Sequence, residues 1–232
     1  MANQLDLEEQ EQLDELKAFW NRFGNLITWA LIVVLAGFAG WNGYQYWQRS
    51  QSAQAAALYD EVDRAAKAGD VARVERAFTD MKDKFSSTTF AQQAGLLAAK
   101  TLFEKGNVDA SKAALTWVAA QSSEDGYQSV ARLRLAGVLL ESKSYDEAMK
   151  QLSGSFPKEF EPLVADRKGD VFALQDKKAE AIAQYKTAYA GLDERDDYRR
   201  IVEIKLNSLG VDPRPATPVV TAVSPVTVEL KK

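Results

Sequence analysis

The sequence predicts an all-α protein with a single N-terminal transmembrane helix followed by an α-solenoid of helical hairpins. Three observations predict it. Ala and Leu are the commonest residues, Lys, Glu and Gln are plentiful, and four of the six prolines fall within the last twenty residues, so the bulk reads as helix and few strands are expected. No charged side chain lies between Arg22 and Arg49. Beyond that stretch, turn signals recur at an almost constant interval.

Residues 1–24 form an acidic tail, with Asp6, Glu8, Glu9, Glu11, Asp14 and Glu15 set against Lys17 and Arg22. Within it Leu13, Leu16, Trp20 and Phe23 recur at helical spacing. That spacing suits a helix lying at a membrane interface or a solvated extension of the helix that follows.

Residues 25–48 read as the membrane span. As a helix, Leu26 to Trp47 would rise ~33 Å, enough to cross a hydrocarbon core of ~30 Å. Trp29 near one end and Trp41, Tyr44, Tyr46 and Trp47 near the other fit the aromatic belts at the headgroups. A cleavable signal peptide would need a basic flank and a shorter apolar run, whereas this flank is acidic. A buried core helix would not be apolar all round for six turns. Lys17, Arg22 and the terminal amine compete with Arg49, Arg64 and Lys67, so charge alone leaves the orientation open. Ala36/Gly40 and Ala39/Gly43 form small-xxx-small pairs, expected to let a second helix approach closely.

Residues 49–210 are expected to be the soluble domain. Four loop points align at Gly69, Gly106, Lys143 and Asp176, separated by 37, 37 and 33 residues. A period near 34 with two helices per unit is the tetratricopeptide signature. Seven residues before each turn stand Val62, Ala99, Ala136 and Gly169, where the first (A) and second (B) helices of a hairpin should touch, Val62 fitting least well. Ser111, Ala148 and Ala181 follow the turn by five residues, and Phe78, Leu115, Leu152 and Tyr185 by nine. Leu102, Leu139 and Phe172 fill the matching apolar position on the A helices. A hairpin with one apolar face cannot bury it alone, and neighbouring hairpins do so. A last helix, Asp197 to Leu209, should turn Ile201, Ile204 and Leu209 inward as a C-terminal cap and end at Gly210. Residues 211–232 carry prolines without helical period and read as a flexible tail.

The chain contains no cysteine and no histidine, which removes disulfides, thiolate metal sites and the commonest general base. No phosphate loop, nucleophile elbow or spaced carboxylate set occurs, so no enzyme activity, cofactor or metal is expected. Outside the acidic tail the basic and acidic residues balance, and a chain without a basic stripe has little electrostatic reason to bind nucleic acid. Binding of other proteins is the remaining role. In this register the expected inward positions of the A helices are Gln93, Leu96, Lys100 and Phe103, then Val130, Leu133 and Leu140, then Leu163, Asp166 and Asp170. Their apolar majority predicts a groove for a hydrophobic protein segment. The competing reading makes Leu96, Leu133 and Leu140 ordinary core residues and shifts the register by one.

The stretches Glu15-Leu16-Lys17 through Gly24-Asn25, Gly43-Tyr44-Gln45-Tyr46-Trp47, Val164-Ala165-Asp166-Arg167-Lys168-Gly169-Asp170 and Lys205-Leu206-Asn207-Ser208-Leu209 together resemble the YfgM family, ancillary subunits of the bacterial Sec translocon. The likeness covers about residues 10–210. It implies a single-pass type II protein of the bacterial inner membrane, N-terminus cytoplasmic and repeats periplasmic. The implied partners are the SecYEG translocon, a PpiD-like periplasmic chaperone and exported client proteins. The proline-bearing tail departs from the family pattern. Two other readings are a signalling regulator that holds a response regulator on its cytoplasmic tail, and an envelope assembly factor.

Overall fold

The computed structural model describes residues 7–214, with side chains described from residue 11. Asp6 and all of the C-terminal tail beyond Arg214 therefore lie outside the described residues, as do the side chains of Glu8 and Glu9. Nine α-helices occur among them, and no strand: α1 (Leu7–Ala68), α2 (Val71–Phe85), α3 (Thr89–Glu104), α4 (Val108–Gln121), α5 (Asp125–Glu141), α6 (Tyr145–Leu152), α7 (Glu161–Leu174), α8 (Lys178–Gly191) and α9 (Asp197–Ser208). A 3-10 turn, Lys158–Phe160, precedes α7. The chain forms two compact units that meet between Ala94 and Gly95, within α3.

In the first unit, α1 is one continuous helix of 62 residues. It is long and apolar enough to cross a membrane. The helix does not break at residues 48 and 49: the stretch from Arg49 to Ala68 is Ala-rich with no glycine or proline, so the apolar part of α1 continues into the A helix of the first hairpin. Ala36, Ala39, Gly40 and Gly43 are exposed, and a Cβ on Gly40 or Gly43 would meet nothing within 4 Å. The far end of α1 packs differently. Ala55, Val62 and Ala65 are buried against α2, which contributes Val74, Ala77, Phe78 and Met81. Arg73 on α2 reaches back to Glu61 at 3.0 Å.

Every expected turn ends its helix with a residue in the left-handed region: Gly69 (φ 68°), Gly106 (80°), Lys143 (57°) and Asp176 (58°). Gly210 (80°) ends α9 in the same way. At each turn the next residue's amide reaches a carbonyl five positions back, as in Asn107 to Leu102 (2.8 Å) and Lys177 to Phe172 (2.9 Å). This closure satisfies carbonyls that the helix end would otherwise leave orphaned. Asp70 and Asn107 then cap the next helix through their side chains.

The repeat register predicts the packing. Val62, Ala99, Ala136 and Gly169 are all buried, as are Ser111, Ala148 and Ala181, and Phe78, Leu115, Leu152 and Tyr185. Val62 is fully buried despite its size. The Ser111 hydroxyl donates to the Ala99 carbonyl at 2.8 Å, so A and B helices approach within one side-chain length. Gly169 is the tightest of these contacts: a Cβ there would run into the Tyr185 ring.

The cap is rotated from expectation. Ile201 is 47 % and Ile204 61 % exposed, while Val202 and Leu206 are fully buried and Leu209 packs at the cluster's edge. The reason is electrostatic: α9 turns Lys205 toward two carboxylates of α7, and the stripe Val202, Leu206 and Leu209 follows it inward.

Candidate functional site

Two side-by-side hollows open along the A helices of the second unit. One, of about 520 Å³, lies over α3, α4 and α5, where Lys100, Phe103, Arg134, Gly137 and Arg167 form its walls and Ser111 and Leu115 its floor. The other, of about 550 Å³, lies over α5 and α7, lined among others by Glu141, Asp170, Leu174 and Tyr145. They share Gly137, Glu141 and Arg167, so the two hollows adjoin along the groove face.

The helix repeat explains which residues reach it. Lys100, Gly137 and Asp170 stand six residues before their turn residues, Arg134 and Arg167 nine before, and Glu141 and Leu174 two before. Helical spacing of three to four residues puts these positions on one face. Gly137 leaves the middle without a side chain; a Cβ there would make an ordinary contact, at 3.9 Å, with the Arg167 guanidinium.

Four of the expected groove residues line the hollows: Lys100 and Phe103 in one, Leu140 and Asp170 in the other. Gln93, Leu96, Val130, Leu133 and Leu163 are half-buried and line neither. Two expectations need correction. Leu140 is only 6 % exposed, and Asp166 is wholly buried, so neither is a surface contact. Leu140 fills the space between helices, and Asp166 is turned inside to meet Lys205. Leu140 is buried as in the competing reading, while Leu96 and Leu133 are half-buried; the hollows add Arg134 and Arg167, each one residue after an expected position. Arg134, Gly137, Glu141, Arg167 and Leu174 were missed. Continuing the turn-minus-nine count from Leu97 would have found the two arginines.

Beneath the groove's C-terminal end lies a charge cluster. Lys205 Nζ donates to both oxygens of Asp166 at 2.8 Å and to Asp170 Oδ1 at 2.7 Å. The Tyr198 hydroxyl donates to Asp166 (2.7 Å) and the Tyr185 hydroxyl to Asp170 (2.8 Å). Arg167 Nη1 donates to the second oxygen of Asp170 at 3.1 Å. Burial, reinforced by the neighbouring carboxylates, pushes the pKa of both tyrosines above the ordinary phenol range. A carboxylate as deep as Asp166 is tolerated only when its lone pairs are filled, and Lys205 and Tyr198 of α9 fill them. Arg167 Nε is buried and has no partner among the described residues.

A family profile described as a tetratricopeptide repeat-like domain matches residues 17–211. Curated proteins named ancillary SecYEG translocon subunit are similar over nearly their whole length. That of Neisseria gonorrhoeae is 33 % identical over 204 residues, covering 88 % of this chain and 98 % of the relative. Those of Haemophilus influenzae and Aggregatibacter actinomycetemcomitans are 27 % and 26 % identical over 203 residues, with the same coverage.

Proposed function

The chain belongs to the tetratricopeptide repeat-like family of ancillary SecYEG translocon subunits, and from that footing we propose that it is a protein-binding scaffold of the bacterial inner membrane. It associates with the SecYEG translocon and with a PpiD-like periplasmic chaperone, and it assists exported proteins as they leave the channel. The observation that carries this reading is a similarity running from the apolar half of α1 through the last hairpin, in relatives whose names state the translocon association. The spanning part of α1 is the anchor, its N-terminus cytoplasmic. The groove on α3, α5 and α7 is the docking surface. The exposed face of Ala36, Ala39, Gly40 and Gly43 offers a close approach to another membrane helix.

Crosslinking in intact membranes tests the scaffold. A photoreactive residue at the exposed Leu174, in the lining of the groove, should capture translocon subunits, the chaperone or exported chains; capture of none of these would refute the reading. Topology is tested separately. A cysteine at Ser123 should react with an impermeant thiol reagent once the outer membrane is opened, and a cysteine at Ala2 should not. Phe103→Ser should weaken capture while changing stability by about 1 kcal/mol, since Phe103 lines the groove and is only half-buried, whereas Leu133→Ser, outside the hollows, should leave capture unchanged.

A further inference from the structure

We infer that the groove reads acidic residues: its occupant is an extended protein segment with an internal Asp or Glu next to a large apolar side chain. This rests on the docking reading above and adds the chemistry that selects the segment.

Three cations, Lys100, Arg134 and Arg167, line the hollow over α3 and α5 against one carboxylate, Glu141. Their own partners do not satisfy them. Among the described residues, exposed Arg134 donates to the Leu96 carbonyl alone, at 3.4 Å, and Arg167 spends Nη1 on Asp170 and leaves Nε buried without an acceptor. A buried donor without a partner is uncommon in a folded protein, and guanidinium groups present paired donors that match a carboxylate. Lys100 reaches Glu104 at only 3.8 Å, and both are exposed. The lining beside these cations is apolar, with Phe103 and Val138 above Leu115 on the floor. A hollow with net positive lining and apolar walls fits a carboxylate adjacent to an aliphatic or aromatic group.

The acid is internal to the segment because the groove does not stop at the cations. At Gly137 and Arg167 it adjoins the second hollow, where Leu174 is 54 % exposed. A chain can run through without ending there. Gly137 keeps the passage open where a side chain would narrow it.

The test uses the full chain in detergent micelles and fluorescent decapeptides, acetylated and amidated, with a Leu-Glu-Phe core. Anisotropy should report binding that weakens about tenfold when Gln replaces Glu, when Arg134 is changed to Glu, or when salt is raised from low to physiological strength. Gly137→Ala, whose new Cβ makes only an ordinary contact, should weaken it while circular dichroism and melting stay unchanged. Equal binding of the Glu and Gln peptides, or indifference to R134E, would overturn the acidic preference. If both peptides still bind and lose affinity on Gly137→Ala, the groove remains a docking surface without charge selection. If no capped peptide binds and a free C-terminal carboxylate is required, the internal-acid assignment falls. If no peptide binds at all, the docking reading falls with it.

Discussion

The hairpin of α3 and α4 and the hairpin of α7 and α8 occupy the same places in the repeat, yet they are held by different chemistry. At Ala99 and Ser111 the contact is small and apolar, with one hydroxyl donating to a carbonyl. At Gly169 even the methyl is gone, and Tyr185 fills the space and turns its hydroxyl onto Asp170. The later hairpin then carries the cap through Asp166, Asp170 and Lys205. A repeat fixes where helices touch, and the residues at those places choose between apolar closure and a buried ionic lock. The lock confers direction, because it holds α9 in one rotation, and it makes the C-terminal end vulnerable to single changes.

The largest effect should come from Lys205→Met, which leaves Asp166, 1 % exposed, without its cation and Asp170 with Arg167 alone. Breaking a buried pair from one side costs about 3–5 kcal/mol; Lys205 is itself partly exposed, which puts the expected loss near the lower figure. Hydrogen exchange of the full chain should show α9 and α8 opening early while α4 and α5 keep their protection. Asp166→Asn combined with Lys205→Met should recover part of the loss. Equal protection in α9 before and after Lys205→Met would mean that the apolar stripe of Val202 and Leu206 holds the cap alone.

Gly169→Leu comes next. Overpacking a tight contact costs about 1–3 kcal/mol, and Tyr185 cannot swing away without releasing Asp170. Ala99→Leu should also destabilise, but the α3 and α4 contact has no buried charge to strand, so repacking there stays local. A Gly169→Leu protein melting like the parent would show that the two hairpins tolerate volume alike.

Alkaline pH separates the hairpins without mutation. The Tyr185 and Tyr198 hydroxyls ionise near pH 10 when unfolded, and burial first, then the adjacent carboxylates, raises both in the folded protein. Their contribution is thus fully present below about pH 10 and is lost as pH rises toward the folded values, at no more than about 1.4 kcal/mol per pH unit for each. Exchange in α8 and α9 should accelerate above pH 10 before that in α4 and α5, and Tyr198→Phe should flatten the dependence. The same dependence in both regions would assign it to general charge repulsion instead.

Positions were more legible than orientations. The turns, the small contact residues and the large residues nine after each turn follow from spacing alone, because closure by a left-handed residue and close helix contact constrain residue type strongly. The cap's rotation was not legible. Ile201 and Ile204 make as good an apolar stripe as Val202 and Leu206, and only the need to neutralise Asp166 decides between them. That same burial removed Asp166 from the groove where its spacing had placed it. Arg134 and Arg167 escaped notice because the reading weighed apolar residues, whereas the groove's character lies in its cations. The junction of membrane span and first hairpin was hidden because nothing in the sequence stops a helix there.

The smallest effect tests the turns, where the two hairpins differ once more. Gly106 closes α3 with the left-handed conformation that glycine adopts freely, while Asp176 closes α7 at φ 58° and Lys143 closes α5 at φ 57°. A side chain in that region costs about 1–2 kcal/mol, offset in part because glycine loses more chain entropy on folding. Asp176→Gly and Lys143→Gly should therefore stabilise their hairpins by about 0.5–1 kcal/mol, read as a shift in the denaturation midpoint with unchanged slope. Gly106→Ala should destabilise by a similar amount, although a Cβ there meets nothing within 4 Å. Its cost is conformational and not steric. If Lys143→Gly and Asp176→Gly both lower stability, their side chains contribute more at these turns than the backbone strain takes away, and the later turns are held by contacts that the first two lack.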